Sequence, residues 1–103
     1  MYLVRDIMYC KPGKVRTMVE KFTAMSKVGE RAGMPKMRIL TDLSAERYWT
    51  VVAEMEVPSL QAWEEMMNAT PGNQDAMKEF ERIMKDYHEL VDTGRREIYK
   101  IEA

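Results

Sequence analysis

The strongest constraint on this chain is the order of its periodicities. Strand-like, helix-like, strand-like, strand-like, helix-like and strand-like segments fill nearly all of its 103 residues. Tyr2 to Cys10 carries apolar residues on both sides: Leu3, Ile7 and Tyr9 on one, Val4 and Met8 on the other. A strand apolar on both sides belongs in the middle of a covered sheet. Lys11-Pro12-Gly13 breaks it, and Pro12 suits the first position of a helix. Val15, Met18, Val19, Phe22, Met25 and Ala32 then follow helical spacing, with Gly33 as a left-handed stop and Pro35 barring resumption.

Met37 to Leu43 reads as the second strand and Arg47 to Val57 as the third, joined by the short turn Ser44-Ala45-Glu46, so the two pair as a hairpin. The third alternates, with Trp49, Val51, Ala53, Met55 and Val57 on one face and Tyr48, Thr50, Val52, Glu54 and Glu56 on the other. Pro58-Ser59 opens a helix bearing Leu60, Trp63 and Met67, and Thr70-Pro71 starts a further helical segment from about Gln74 to Val91. Asp92-Thr93-Gly94 is expected to end that helix, and Arg95 to Ile101 to form the last strand. The order β-α-β-β-α-β is the split βαβ, ferredoxin-like arrangement: an α+β fold with a four-stranded antiparallel sheet, here one domain spanning 1–103.

Composition removes several function classes. With 16 basic and 17 acidic residues the net charge is −1, which provides no basic stripe for nucleic acid or an anionic membrane. No apolar run approaches the roughly 20 residues that span a bilayer, and the charged N-terminus has no signal-peptide core, so a cytoplasmic address is expected. Cys10 stands alone, which excludes an internal disulfide and a cysteine zinc site. No spacing suggests a metal, and no glycine-rich phosphate loop is present. Eleven methionines fit either ordinary core filling or an adaptable apolar cavity.

Two helices cover one face of a four-stranded sheet. The other face is semi-polar, with Tyr48, Thr50 and Val52, instead of fully charged. A second copy packing sheet to sheet is the simplest cover, so a homodimer burying roughly 800 Å² per partner is expected.

Tyr9-Cys10-Lys11-Pro12-Gly13-Lys14, Pro58-Ser59-Leu60-Gln61-Ala62-Trp63 and the ending Gly94-Arg95-Arg96-Glu97-Ile98-Tyr99-Lys100-Ile101 together resemble the dimeric α+β barrel superfamily, most of all small NIPSNAP-like proteins. The resemblance implies strand order 4-1-3-2, two sheets packed face to face as a barrel, and a small organic ligand held between sheet and helices. It leaves the reaction open, because members range from cofactor-free monooxygenases to haem-degrading enzymes. The first strand lacks the asparagine that haem-degrading members carry, so no cofactor is expected. The alternative implied is a cofactor-independent monooxygenase acting on an aromatic or polyketide-like substrate.

The candidate acid–base residues are His88, Tyr87, Arg5 and Asp6. His88 is the only histidine, and so the only side chain ordinarily titrating near neutrality; its plainer reading is a half-exposed boundary residue. Arg5 and Asp6 are adjacent charges in a central strand and must point to opposite faces, as ligand-orienting groups or as interface ion pairs with Glu54, Glu97 or Arg38. Tyr9, Trp49, Trp63 and Met84 are the candidate ligand contacts; the tryptophans also suit core anchors. An enzyme requires several of these groups to converge on one spot.

Overall fold

A computed structural model describes residues 1–103. Its elements are β1 (Tyr2–Cys10), α1 (Val15–Arg31), β2 (Arg38–Thr41), β3 (Thr50–Val57), α2 (Leu60–Met67), α3 (Gln74–Ile83), a 3-10 turn (Tyr87–Glu89) and β4 (Val91–Lys100). The sheet runs β2-β3-β1-β4 with every neighbour antiparallel, which is the expected ferredoxin-like order. The helices lie on one face.

Local chemistry sets most boundaries. α1 ends in a Schellman motif: Gly33 takes φ +79°, its N–H donates to Glu30 O, and Met34 N–H donates to Gly29 O. Ser59 caps α2 by accepting from Ala62 N at 3.0 Å. Pro12 and Gly13 form a turn ahead of α1 instead of its first residues, and α3 starts after Asn73, whose Oδ1 accepts from Thr70 N at 2.7 Å. The core between helices and sheet is Met18, Phe22, Val51, Ala53, Cys10 and Leu90.

Further expectations fail for physical reasons. The last helix stops at Ile83, and the chain continues in tighter turns, with Met84 O accepting from Tyr87 N and Tyr87 O from Leu90 N. Tighter winding aligns side chains three apart, so Met84, Tyr87 and Leu90 all reach the same core. Asp92-Thr93-Gly94 does not end a helix but lies within β4. A Cβ on Gly94 would sit 2.9 Å from Ile7 O and 2.9 Å from Met8 Sδ, so glycine there permits close strand approach.

The third strand starts at Thr50, not Arg47. Trp49 adopts φ +64°, a left-handed conformation that interrupts the alternation. Trp49 is therefore left 46% exposed instead of buried beneath the helices, and Tyr48 stands in solvent at 85% exposure instead of on the sheet face. The connection between β2 and β3 is pinned by Thr50 N to Asp42 Oδ1 (2.9 Å) and Thr50 Oγ1 to Arg47 O (2.7 Å).

That connection folds over one end of the face opposite the helices. Arg47 lies 4.3 Å above the Tyr9 ring, and Glu46 reaches Arg95 on β4 at 3.7 Å. Ile7, Tyr9 and Val52 form a small buried cluster on this face.

Candidate functional site

Strand alternation answers the question of Arg5 and Asp6. Asp6 faces the helices, where it lines a cavity; Arg5 faces the opposite side, paired with Glu54 at 3.2 Å. The cavity lies between the sheet, α1, the segment leading into β2, and α2. Its walls are Val4, Ala53 and Met55 from the sheet, Met25 and Gly29 from α1, Met34, Pro35 and Met37 from the following segment, Trp63, Met66 and Met67 from α2, and Phe80 from α3. Asp6 and Ser26 are its polar lining residues. Its volume is about 80 Å³. That admits water or a very small molecule. Six of the eleven methionines border it, and unbranched thioether chains repack easily. The larger surface depressions are shallower and mostly polar, such as one of about 400 Å³ between α1 and the start of α3.

α2 closes the cavity lightly. None of its residues is fully buried, and it is bounded by Pro58 and the irregular stretch after Met67. Trp63 is its largest contribution. Above the indole, at 5.0 Å from ring to guanidinium carbon, sits Arg96 of β4. Arg96 Nε in turn donates to Asp6 Oδ1 at 2.6 Å. Trp63, Arg96 and Asp6 thus form one polar cluster beside an otherwise apolar chamber. The ion pair is charge-assisted and partly open to solvent.

Of the eight candidates, Asp6 and Trp63 meet at this cluster. Met84 and Tyr87 pack against the main core instead, and His88, stacked on Tyr87 with centroids 4.0 Å apart, is exposed. Tyr9 and Arg5 lie on the far face of the sheet. Trp49 borders a separate open groove with Val15, Arg16, Thr41, Asp42 and Tyr48. Sequence reasoning misses Arg96. A signal for it exists: an antiparallel β1–β4 pairing sets a basic residue near the C-terminus opposite Asp6, and the register is Asp6↔Arg96.

Burial raises the Cys10 thiol pKa above its ordinary value, and Asp92 adds to the effect, so this buried cysteine is a poor nucleophile. No group of three or more His, Cys, Asp or Glu side chains is placed to hold a metal ion. No helix is long and apolar enough to cross a membrane.

No protein-family model matches the chain, and no curated protein matches it. Solved structures do. An uncharacterized NIPSNAP-like domain protein from Burkholderia xenovorans superimposes with TM-score 0.74 at 10% identity, covering 99% of this chain and 85% of its own. An antibiotic biosynthesis monooxygenase matches with TM-score 0.70 at 13% identity, covering 100% of both chains. A dimeric protein of unknown function and ferredoxin-like fold from Bacteroides fragilis gives 0.57 at 9% identity, covering 97% of this chain and 96% of its own. Identities this low carry the architecture and not the chemistry. The chain has the α+β ferredoxin-like fold shared by these NIPSNAP-like and antibiotic biosynthesis monooxygenase-type structures, the fold expected of a dimeric α+β barrel subunit.

Proposed function

We propose that this chain is a cytoplasmic, NIPSNAP-like homodimer, each subunit of which binds a small apolar organic molecule between sheet and helices. The observation that carries this reading is the methionine-lined cavity with its single charged wall residue, Asp6, tied to Arg96 and Trp63. A largely enclosed apolar chamber with one fixed polar edge is the usual form of a small-molecule site. The dimeric neighbour from Bacteroides fragilis supports pairing in this fold.

The monooxygenase reading draws support from the likeness to an antibiotic biosynthesis monooxygenase. It is weaker for this chain, because Tyr9, Arg5, Tyr87 and His88 lie away from the Asp6 cluster. A binding role needs no such convergence.

Native mass spectrometry of freshly purified protein tests both halves of the proposal. The expected spectrum is a dimer, with a small organic molecule retained or with phenol taken up when it is added as a probe. Ala53→Val, which adds two methyl groups at the wall shared by the cavity and the main core, should lose phenol uptake, with retained folding checked by circular dichroism. A lone subunit would remove the dimer. Unchanged uptake by the Ala53→Val variant would remove the cavity as the site.

A further inference from the structure

The face of the sheet turned away from the helices carries an ordered row of charge. Register places Arg38 opposite Glu54, Glu54 opposite Arg5, and Arg5 opposite Glu97. All four side chains project from the same face. The row therefore reads plus, minus, plus, minus across β2, β3, β1 and β4. It is also bonded within the chain. Arg38 Nη2 pairs with Glu54 Oε1, Arg5 Nε lies 3.2 Å from Glu54 Oε2, and Glu97 holds Arg95 Nε at 3.0 Å and accepts from Tyr99 Oη at 2.9 Å. Arg38 remains 71% exposed, whereas Glu54 is nearly covered.

An alternating row of four has a definite symmetry. A two-fold axis parallel to the strands and midway between β1 and β3 reverses the row in the second copy. Arg38 then faces Glu97 of that copy, and Glu54 faces its Arg5. Every position meets the opposite sign. A two-fold axis across the strands leaves the row unreversed and sets like charge on like. Displacing the first axis onto β1 or β3 likewise sets Arg5 over Arg5 or Glu54 over Glu54. Stacked sheets lie roughly 10 Å apart, within reach of opposed arginine and glutamate side chains. Like charges juxtaposed at an interface are strongly disfavoured, so such a row selects geometry as well as partner.

We infer that the Arg38–Glu54–Arg5–Glu97 row is a self-recognition element whose partner is a second copy of this chain, set by a two-fold axis along the strands. The inference rests on the dimer proposed above and adds its orientation. The segment carrying Glu46 and Arg47 covers the Tyr9 end of the same face; within the row Arg38 is open, Arg5 and Glu97 are partly exposed, and Glu54 is nearly covered.

The test is a charge-swap cycle read by sedimentation equilibrium. Arg38→Glu sets a carboxylate against Glu97 of the second copy, and the dimer dissociation constant should rise roughly tenfold or more. Glu97→Arg should do the same. The double variant restores opposite charges between copies and should recover to within about threefold of the parent. Within one chain the same double swap sets like charges side by side at both ends of the row, so contacts internal to the chain cannot produce recovery. Arg38→Gln with Glu97→Gln repeats the cycle without repulsion, and should weaken the dimer less than either reversal. A parent that stays monomeric would overturn the underlying dimer. A dimeric parent whose double variant is weaker than both singles would overturn the charge row while leaving the dimer intact.

Discussion

Asp6 on β1 and Arg96 on β4 are direct cross-strand partners, and the guanidinium that neutralises the carboxylate also lies over the Trp63 ring. The pair is the one charged feature on the helix-facing side of the cavity wall. Removing only the arginine leaves a carboxylate facing thioethers and aromatic rings. Arg96→Leu should therefore cost about 1 kcal/mol, modest because both side chains are partly solvated. Adding Asp6→Leu should recover most of that loss, since the orphaned charge is gone. Urea denaturation of the two variants measures both. A shift in Trp63 fluorescence should accompany the first.

Gly94 should tolerate nothing larger. Its Cβ position is 2.9 Å from a backbone oxygen, Ile7 O, which cannot swing aside as Met8 Sδ can. Gly94→Ala is expected to destabilise by about 1–3 kcal/mol through strand separation. Gly72→Ala is the control: nothing lies within 4 Å of its added carbon and its φ is unexceptional, so thermal melting should move little.

Cys10 predicts a direction for alkaline pH. Its folded pKa lies above the unfolded value near 8.5, first through desolvation and then through Asp92. A raised pKa means that the fold favours the protonated thiol. That contribution is complete below the unfolded value and is lost as pH rises through the folded one. Stability should thus fall above about pH 8.5, and Cys10→Ala should flatten that part of the profile. Native protein at pH 8 should also resist iodoacetamide at Cys10, whereas urea-unfolded protein should react.

Element order and the central strand were legible because burial on both faces places apolar residues on both sides of Tyr2 to Cys10, interrupted only by Arg5 and Asp6. The failures share a cause. Trp49 continues the alternation of β3 by residue type, yet its φ of +64° takes it out of the strand conformation, and no side-chain pattern encodes a backbone dihedral. Met84, Tyr87 and Leu90 are spaced by three, which fits a tighter turn as well as a helix; hydrophobic periodicity alone does not separate them. At the site, Asp6 and Trp63 were readable as a charge in a strand and an indole on an apolar helix face. Arg96 was not, because its place depends on register between strands some 90 residues apart.

The eleven methionines should divide into two energetic classes, and the cavity draws the line. Met18 is fully buried in the main core, packed with Phe22, Val51 and Leu90. Met18→Ala removes fully buried atoms from the packed core, and should cost about 2–5 kcal/mol. Met66 sits on the lightly packed α2 and borders an existing void. Met66→Ala enlarges that void at its softest wall, so its cost should fall well below that of Met18→Ala. The same substitution should tighten binding of an added apolar probe such as toluene, because fewer atoms must move to admit it. Paired denaturation curves and a toluene titration followed by Trp63 fluorescence read the two effects. Equal destabilisation by both substitutions would mean that the chamber is ordinary core and that its methionines only fill space.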